Sequence, residues 1–215
     1  MNIGINGKKY QPQRIFCIGR NYALHAAELN NDIPDSPIVF SKPVTALLEQ
    51  GEPIRIPDFC KDFHHEVELV ILIGKKCRPQ TPEEALDAVA GLGIGLDLTL
   101  RDLQLKIMAE GGPWEKTKGF DGSAPLAGFV PYTSEIDLNN LEISCKVDGV
   151  LRQQGNTGDM LFKVPELLMD IAKYWELLPG DLLYTGTPAG VGPLKSGQTI
   201  EISGSFTGSY SWDVV

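Results

Sequence analysis

Glu66 and Glu68 stand two residues apart in the stretch His-His-Glu-Val-Glu-Leu-Val-Ile-Leu-Ile-Gly over 64–74. On a β-strand that spacing points both carboxylates to one face. Two acids side by side repel, so they require a cation, a proton or open water. A bound divalent metal is one reading, and a strand end emerging into solvent is the other. Asp97 is a third candidate ligand. It closes Gly-Leu-Gly-Ile-Gly-Leu-Asp over 91–97, where one strand face carries Leu92, Ile94 and Leu96 and the other carries Gly91, Gly93, Gly95 and Asp97. A glycine-lined face admits close approach of another element or of a ligand. Asp97 could equally cap a following helix. Three carboxylates would suit Mg²⁺, Mn²⁺ or Ca²⁺ better than zinc or copper. They would also leave positions for water and a chelating substrate.

His25 and Glu28 are spaced i, i+3, so on a helix they share a face. They read either as a weak surface ion pair or as a general base oriented by a carboxylate. The chain has only three histidines, and the other two, His64 and His65, flank Glu66. Neutral-pH proton chemistry is thereby concentrated near these two motifs. Arg101 and Gln104 repeat the i, i+3 spacing and read as a solvated face or as ligand contacts. Lys42 reads as solvated. Lys116 and Lys118 fall in a long irregular loop over 111–125, and loops of that length are often functional. The glycine-rich turn over 185–193 lacks the Gly-Lys-Ser/Thr ending of a phosphate-binding Walker loop and is broken by Pro188 and Pro193. It can still present backbone N–H groups and Thr187 to a small anion.

The elements that must hold these groups follow from pattern. Asn6-Gly7 marks a hairpin turn within residues 1–10. A short strand over 14–18 leads to a helix over 22–30, with Asn21 as its N-cap. Strands are expected at 37–42 and 51–57. The 64–74 strand has apolar residues on both faces, Val70 and Leu72 on one and Val67, Leu69, Ile71 and Ile73 on the other, so it should be covered on both sides. Thr81, Pro82 and Glu84 predict a capped helix that continues to Val89 or Ala90. A helix is expected over 99–110, stopped by Gly111-Gly112. A hairpin is expected across Asp148-Gly149, a helix over 164–175, and closing strands at 198–203 and 209–214.

The chain's 215 residues fit one domain with a small N-terminal extension, residues 1–13 preceding a domain over 14–215. A net charge of −9 without any basic run argues against nucleic acid or an anionic membrane as main partner. Cys17, Cys60, Cys77 and Cys145 form no Cys-x-x-Cys pair and read as buried free thiols of a reducing compartment. The N-terminus has no apolar signal segment and no run is long enough to span a bilayer, so the expected location is cytoplasmic.

Six stretches in order resemble the fumarylacetoacetate hydrolase family, nearest to its short acylpyruvase and oxaloacetate-decarboxylase members. They are Gly-Arg-Asn-Tyr-x-x-His-x-x-Glu (19–28), Phe-x-Lys-Pro (40–43), His-His-Glu-x-Glu-Leu (64–69), Leu-Asp-x-Thr-x-Arg-Asp-x-Gln (96–104), Pro-Trp-x-x-x-Lys (113–118) and Thr-Gly-Thr-Pro-x-Gly-Val-Gly-Pro (185–193). The resemblance implies an α+β, β-rich fold, a mixed β-roll with a few short helices, and a homodimer. It implies Mg²⁺ or Mn²⁺ on Glu66, Glu68 and Asp97. It carries over His25 and Glu28 as a water-activating dyad on a helix that orders over substrate, and Lys118 as a cationic stabiliser. Arg20, Gln104 and Thr187 carry over as holders of the substrate's carboxylate end. The implied reaction is cleavage of acylpyruvates to pyruvate and a carboxylic acid, with oxaloacetate decarboxylation as a second activity. Keto–enol tautomerisation of oxaloacetate, or a related isomerisation, is the alternative. A non-catalytic metal- or oxo-acid-binding protein is a further alternative that needs neither His25/Glu28 nor Lys118.

Overall fold

A computed structural model of the chain describes residues 1–29 and 31–215. The first half contains β1 (Ile3–Ile5), β2 (Lys8–Tyr10), β3 (Ile15–Gly19), α1 (Ala23–Glu28), β4 (Ile38–Lys42), β5 (Leu47–Leu48), β6 (Phe63–His65), β7 (Val67–Ile73), α2 (Pro82–Asp87), β8 (Val89–Leu96) and β9 (Thr99–Leu100). The second half contains α3 (Arg101–Ala109), α4 (Glu115–Lys118), β10 (Ala124–Pro131), β11 (Glu142–Val147), β12 (Val150–Asn156), α5 (Val164–Tyr174), β13 (Leu182–Tyr184), β14 (Gly192–Pro193), β15 (Thr199–Gly204) and β16 (Ser209–Asp213). The fold is α+β and rich in strands. A seven-stranded mixed sheet runs in the order β4-β3-β13-β7-β8-β10-β5, and a four-stranded antiparallel sheet runs β12-β11-β15-β16. Among the described residues no helix is long and apolar enough to cross a membrane.

β7 is the centre of the large sheet and is buried along its whole length. Leu69, Ile71 and Ile73 pack with Leu167, Leu168 and Ile171 of α5. Val70 and Leu72 pack with Ile3, Ile5 and Tyr10 of the N-terminal hairpin. The strand is thus covered on both sides, as its two apolar faces require. Each such side chain contributes roughly 1.5–3 kcal/mol by leaving water. The four-stranded sheet supplies a third packing region, in which Ile143, Cys145, Ile200 and Ile202 meet Val67, Ile94 and Leu96.

Several local signals translate directly. Asn6 and Gly7 take positive φ of 48° and 74°, the two-residue turn that matches strand twist. Asp148 and Gly149 do the same between β11 and β12. Thr81 caps α2 by accepting from the Glu84 N–H, and Pro lies in the first turn of α5.

Others do not. α2 ends at Asp87, because Val89 and Ala90 are recruited to pair with the sheet. The helix expected over 99–110 begins only at Arg101, after β9 has paired with β6. Residues 51–57 form no strand; Ile54 makes a single bridge to Val214 and is buried. The loop at 111–125 contains α4. The helix expected over 22–30 runs Ala23–Glu28, and its expected last residue, Asn30, lies outside the described residues. Asn21 does not cap it. Its amide instead donates to the Thr185 and Phe162 carbonyls and accepts from Phe162 N–H, tying the start of α1 to the segments after β13 and before α5. Of the free cysteines, Cys17 and Cys145 are buried while Cys60 and Cys77 are half-buried.

Candidate active site

Glu66 falls in the one-residue break between β6 and β7, and Glu68 is the second residue of β7. Asp97 directly follows β8, which pairs antiparallel with β7 so that Glu68 lies opposite Gly95. The three carboxylates converge. Each offers an oxygen, and these oxygens all lie within 4.8 Å of one another. All three side chains are buried. The glycine face of β8 does not open onto a ligand. A Cβ on Gly93 would meet the Phe129 ring at 2.7 Å, and one on Gly95 would meet Tyr184 at 2.8 Å. Those glycines admit aromatic packing, and that packing brings β8, and Asp97 at its end, against the rest of the core.

Three cations surround the cluster. Lys118, the last residue of α4, places Nζ 2.8 Å from Glu66 Oε2 and 2.7 Å from Asp97 Oδ2. Lys42, at the end of β4, places Nζ 2.8 Å from Asp97 Oδ1 and donates to the Ser123 carbonyl and to the Lys118 carbonyl. Arg101 pairs with Glu66 Oε1 through Nη2 and donates from Nη1 to Gln104 Oε1 at 2.5 Å. Lys42, Arg101 and Gln104 are all buried: Lys42 where its sequence context reads as solvated, and Arg101 and Gln104 lining the cavity, the ligand-facing one of the two readings that their spacing leaves open. Asp97 is no helix cap; the residue preceding α3 is Leu100.

The charges are unevenly shared. Burial alone pushes the Glu66 carboxyl up, but Lys118 and Arg101 outweigh it and hold it well below the usual range. Burial likewise opposes the charge on Lys118, and Asp97 and Glu66 more than restore it. Among the described residues no cation touches Glu68. It accepts the Gly186 N–H at 2.8 Å, and burial followed by repulsion from Asp97 and Glu66 pushes its carboxyl well up. An all-oxygen donor set with one uncompensated buried carboxylate fits a hard divalent cation.

The surrounding cavity encloses about 40 Å³, room for an ion or a water. Arg20, His25, Gln104, Lys118 and Thr187 line it together with the three carboxylates. Arg20 has φ +58°, a left-handed conformation that costs a non-glycine residue energy and turns the chain from β3 into α1. His25 is buried, with Nδ1 3.5 Å from Glu28 Oε2. Burial lowers its pKa, so it is neutral at pH 7. Glu28 stands behind His25 and outside the cavity lining, and it accepts the Gly190 N–H. In the sequence Lys42 reads as solvated, and Arg101 as either solvated or facing a ligand. The signal for both lay in the motifs Phe-x-Lys-Pro and Asp-x-Thr-x-Arg, which already contain them.

The chain belongs to the fumarylacetoacetate hydrolase family. Residues 14–215 match the family model for the fumarylacetoacetate (FAA) hydrolase C-terminal region. Relatives with an assigned activity are enzymes. It is 48% identical over 190 residues to a mitochondrial oxaloacetate decarboxylase of Dictyostelium discoideum, covering 88% of this chain and 87% of the relative. It is 45% identical over 195 residues to the oxaloacetate tautomerase YcgM of Escherichia coli, covering 90% and 89%. Among solved structures, fumarylpyruvate hydrolase from Pseudomonas aeruginosa in complex with Mn²⁺ and pyruvate superposes with a TM-score of 0.93 at 35% identity, covering 100% of this chain and 95% of that one.

Proposed function

We propose that this chain is a divalent-metal-dependent enzyme of small 2-oxo acids that makes or transfers protons to a pyruvate-type enolate, hydrolysing acylpyruvates and decarboxylating oxaloacetate. The observation that supports this most is a neutral, buried His25 backed by Glu28 and lining the same cavity as three converging carboxylates and Lys118. Mg²⁺ or Mn²⁺ held by Glu66, Glu68 and Asp97 would supply a Lewis acid for negative charge on the substrate's keto oxygen. Arg20, Gln104 and Thr187 hold the substrate carboxylate. His25, oriented by Glu28, takes a proton from water, which attacks the distal carbonyl. The 3.5 Å separation of the pair is long for a hydrogen bond, as apo catalytic pairs often are before substrate tightens them. Lys118 stabilises the oxyanion that develops. The carbon–carbon bond then breaks, giving a carboxylic acid and the enolate of pyruvate. Oxaloacetate reaches the same enolate by losing CO₂, with no attacking water.

A second reading, oxaloacetate keto–enol tautomerisation, is favoured by the relative named oxaloacetate tautomerase at 45% identity, against 35% for the hydrolase structure. It uses His25 to move a proton without breaking a carbon–carbon bond. The deciding experiment assays the purified protein with Mg²⁺ or Mn²⁺ on acetylpyruvate, fumarylpyruvate and oxaloacetate, following cleavage and enol–keto conversion separately. Conversion without cleavage selects the tautomerase. No turnover of any of the three returns the chain to a binding role. We also propose that it works as a homodimer in the cytoplasm, which light scattering and fractionation test.

A further inference from the structure

Gln153 belongs to β12, on the four-stranded sheet, and no step above uses it. Most of β12 is exposed or half-buried, yet Gln153 is 1% exposed. Its side chain reaches the catalytic sheet and is bonded at both ends. Oε1 accepts the Val67 N–H at 3.1 Å and lies 2.8 Å from His65 Nδ1. Nε2 donates to Thr187 Oγ1 and to the Pro188 carbonyl, each at 2.8 Å. The backbone agrees with this arrangement: a Cβ on Gly155 would meet Pro188 Cβ at 2.5 Å, so the 185–190 turn rests directly on β12.

The direction of these bonds is forced. A backbone N–H only donates and a backbone carbonyl only accepts. Val67 and Pro188 therefore fix the amide, oxygen toward β7 and nitrogen toward Thr187. Thr187 Oγ1 must then accept from Gln153, and its own hydrogen is left to donate elsewhere. Among the described residues that hydrogen has no acceptor, and Thr187 lines the cavity. We infer that Gln153 is a positioning residue that polarises the Thr187 hydroxyl, holding it as a donor toward the carboxylate of the bound 2-oxo acid. This rests on the reading of Thr187 as a substrate holder.

The test is a double-variant cycle at saturating Mn²⁺ with oxaloacetate, reading KM and kcat separately. Thr187→Val raises KM about tenfold, the scale of one hydrogen bond, with kcat within about threefold. Gln153→Met raises KM comparably. Combined, they do no worse than Thr187→Val alone, because both remove the same oriented donor. Thr187→Ser keeps the native KM, and Gln153→Met in that background raises it again. If Gln153→Met does not fold, Gln153→Asn, one methylene short of Thr187, serves in its place. Single effects that multiply in the double variant overturn the inference, as does an unchanged KM in Gln153→Met. A Thr187→Val variant with native KM marks a different failure, that of the substrate-holding role of Thr187.

Discussion

Lys118 Nζ lies 2.7 Å from Asp97 Oδ2, so an ammonium sits on a carboxylate that a divalent cation would also claim. The same ammonium contacts Glu66 Oε2 at 2.8 Å. Lysine and a bound metal would therefore compete for shared oxygens and repel each other. Lys118→Met is expected to tighten Mn²⁺ binding by about tenfold or more, since like charges a few ångströms apart repel by several kcal/mol at reduced dielectric. Turnover should nevertheless fall by about 10²–10³, the usual cost of losing an oxyanion stabiliser. Calorimetric metal titration and an acylpyruvate hydrolysis assay read the two effects independently. Weaker metal binding in this variant would show that the lysine organises the carboxylates more than it opposes the metal.

Glu68 is the carboxylate of the cluster that no cation touches among the described residues, with the Gly186 N–H as its bonded partner. Its charge is a liability to the metal-free protein and an asset once metal is bound. Glu68→Gln is therefore expected to raise the Tm of the metal-free protein by a few degrees, about 1 kcal/mol at this chain length. Metal affinity should drop by about 10²-fold or more, at least the scale seen when a mere outer-shell partner of a metal ligand is lost. Thermal melts with and without chelator, alongside metal titration, separate the two. A lower Tm in the metal-free variant would contradict the electrostatic account.

The carboxylate cluster was legible because its signals are local. The i, i+2 spacing at Glu66 and Glu68 and the alternation that ends in Asp97 need only strand geometry. The same geometry could not show that Glu66 sits in a break between β6 and β7. Lys42 reads as solvated, and Arg101 stays undecided between solvent and ligand, for a related reason. A charged side chain is solvated by default, and only the crossing of β4, α3 and α4 over one site reveals an acid for each. Asn21 had the right chemistry for a cap, but its partners lie over a hundred residues away, at Phe162 and Thr185. Gln153 is the extreme case, because its role depends on two sheets meeting.

Lys42 is fully enclosed, and it joins Asp97 to the carbonyls at the end of α4 and at Ser123. Lys42→Met conserves volume but leaves Asp97 with one cation fewer. Breaking one partner of a buried pair costs about 3–5 kcal/mol. The metal-free protein should lose roughly 10 °C or more in Tm. Saturating Mn²⁺ should recover part of that loss, because it restores positive charge beside Asp97 and adds binding free energy to the folded state. A variant as stable as the parent would place the Lys42 contribution near zero.

His25 is the group whose titration should be visible in catalysis. Burial lowers its pKa below the ordinary 6.5, and this outweighs the attraction of Glu66. The folded protein thus binds the proton less readily than the unfolded chain. The associated stability is fully present above pH 6.5 and is lost as pH falls below that value toward the lowered pKa. For activity the same sign places the acid limb of kcat/KM for hydrolysis below pH 6.5, with the base form complete at neutrality. His25→Ala should remove that limb and lower acylpyruvate hydrolysis by about 10²–10⁴. Metal affinity should remain within about threefold, because the cluster's ligand atoms come from Glu66, Glu68 and Asp97. Decarboxylation of oxaloacetate, which needs no activated water, should fall much less. Equal losses of hydrolysis and decarboxylation would assign His25 to substrate positioning instead of to the proton on water.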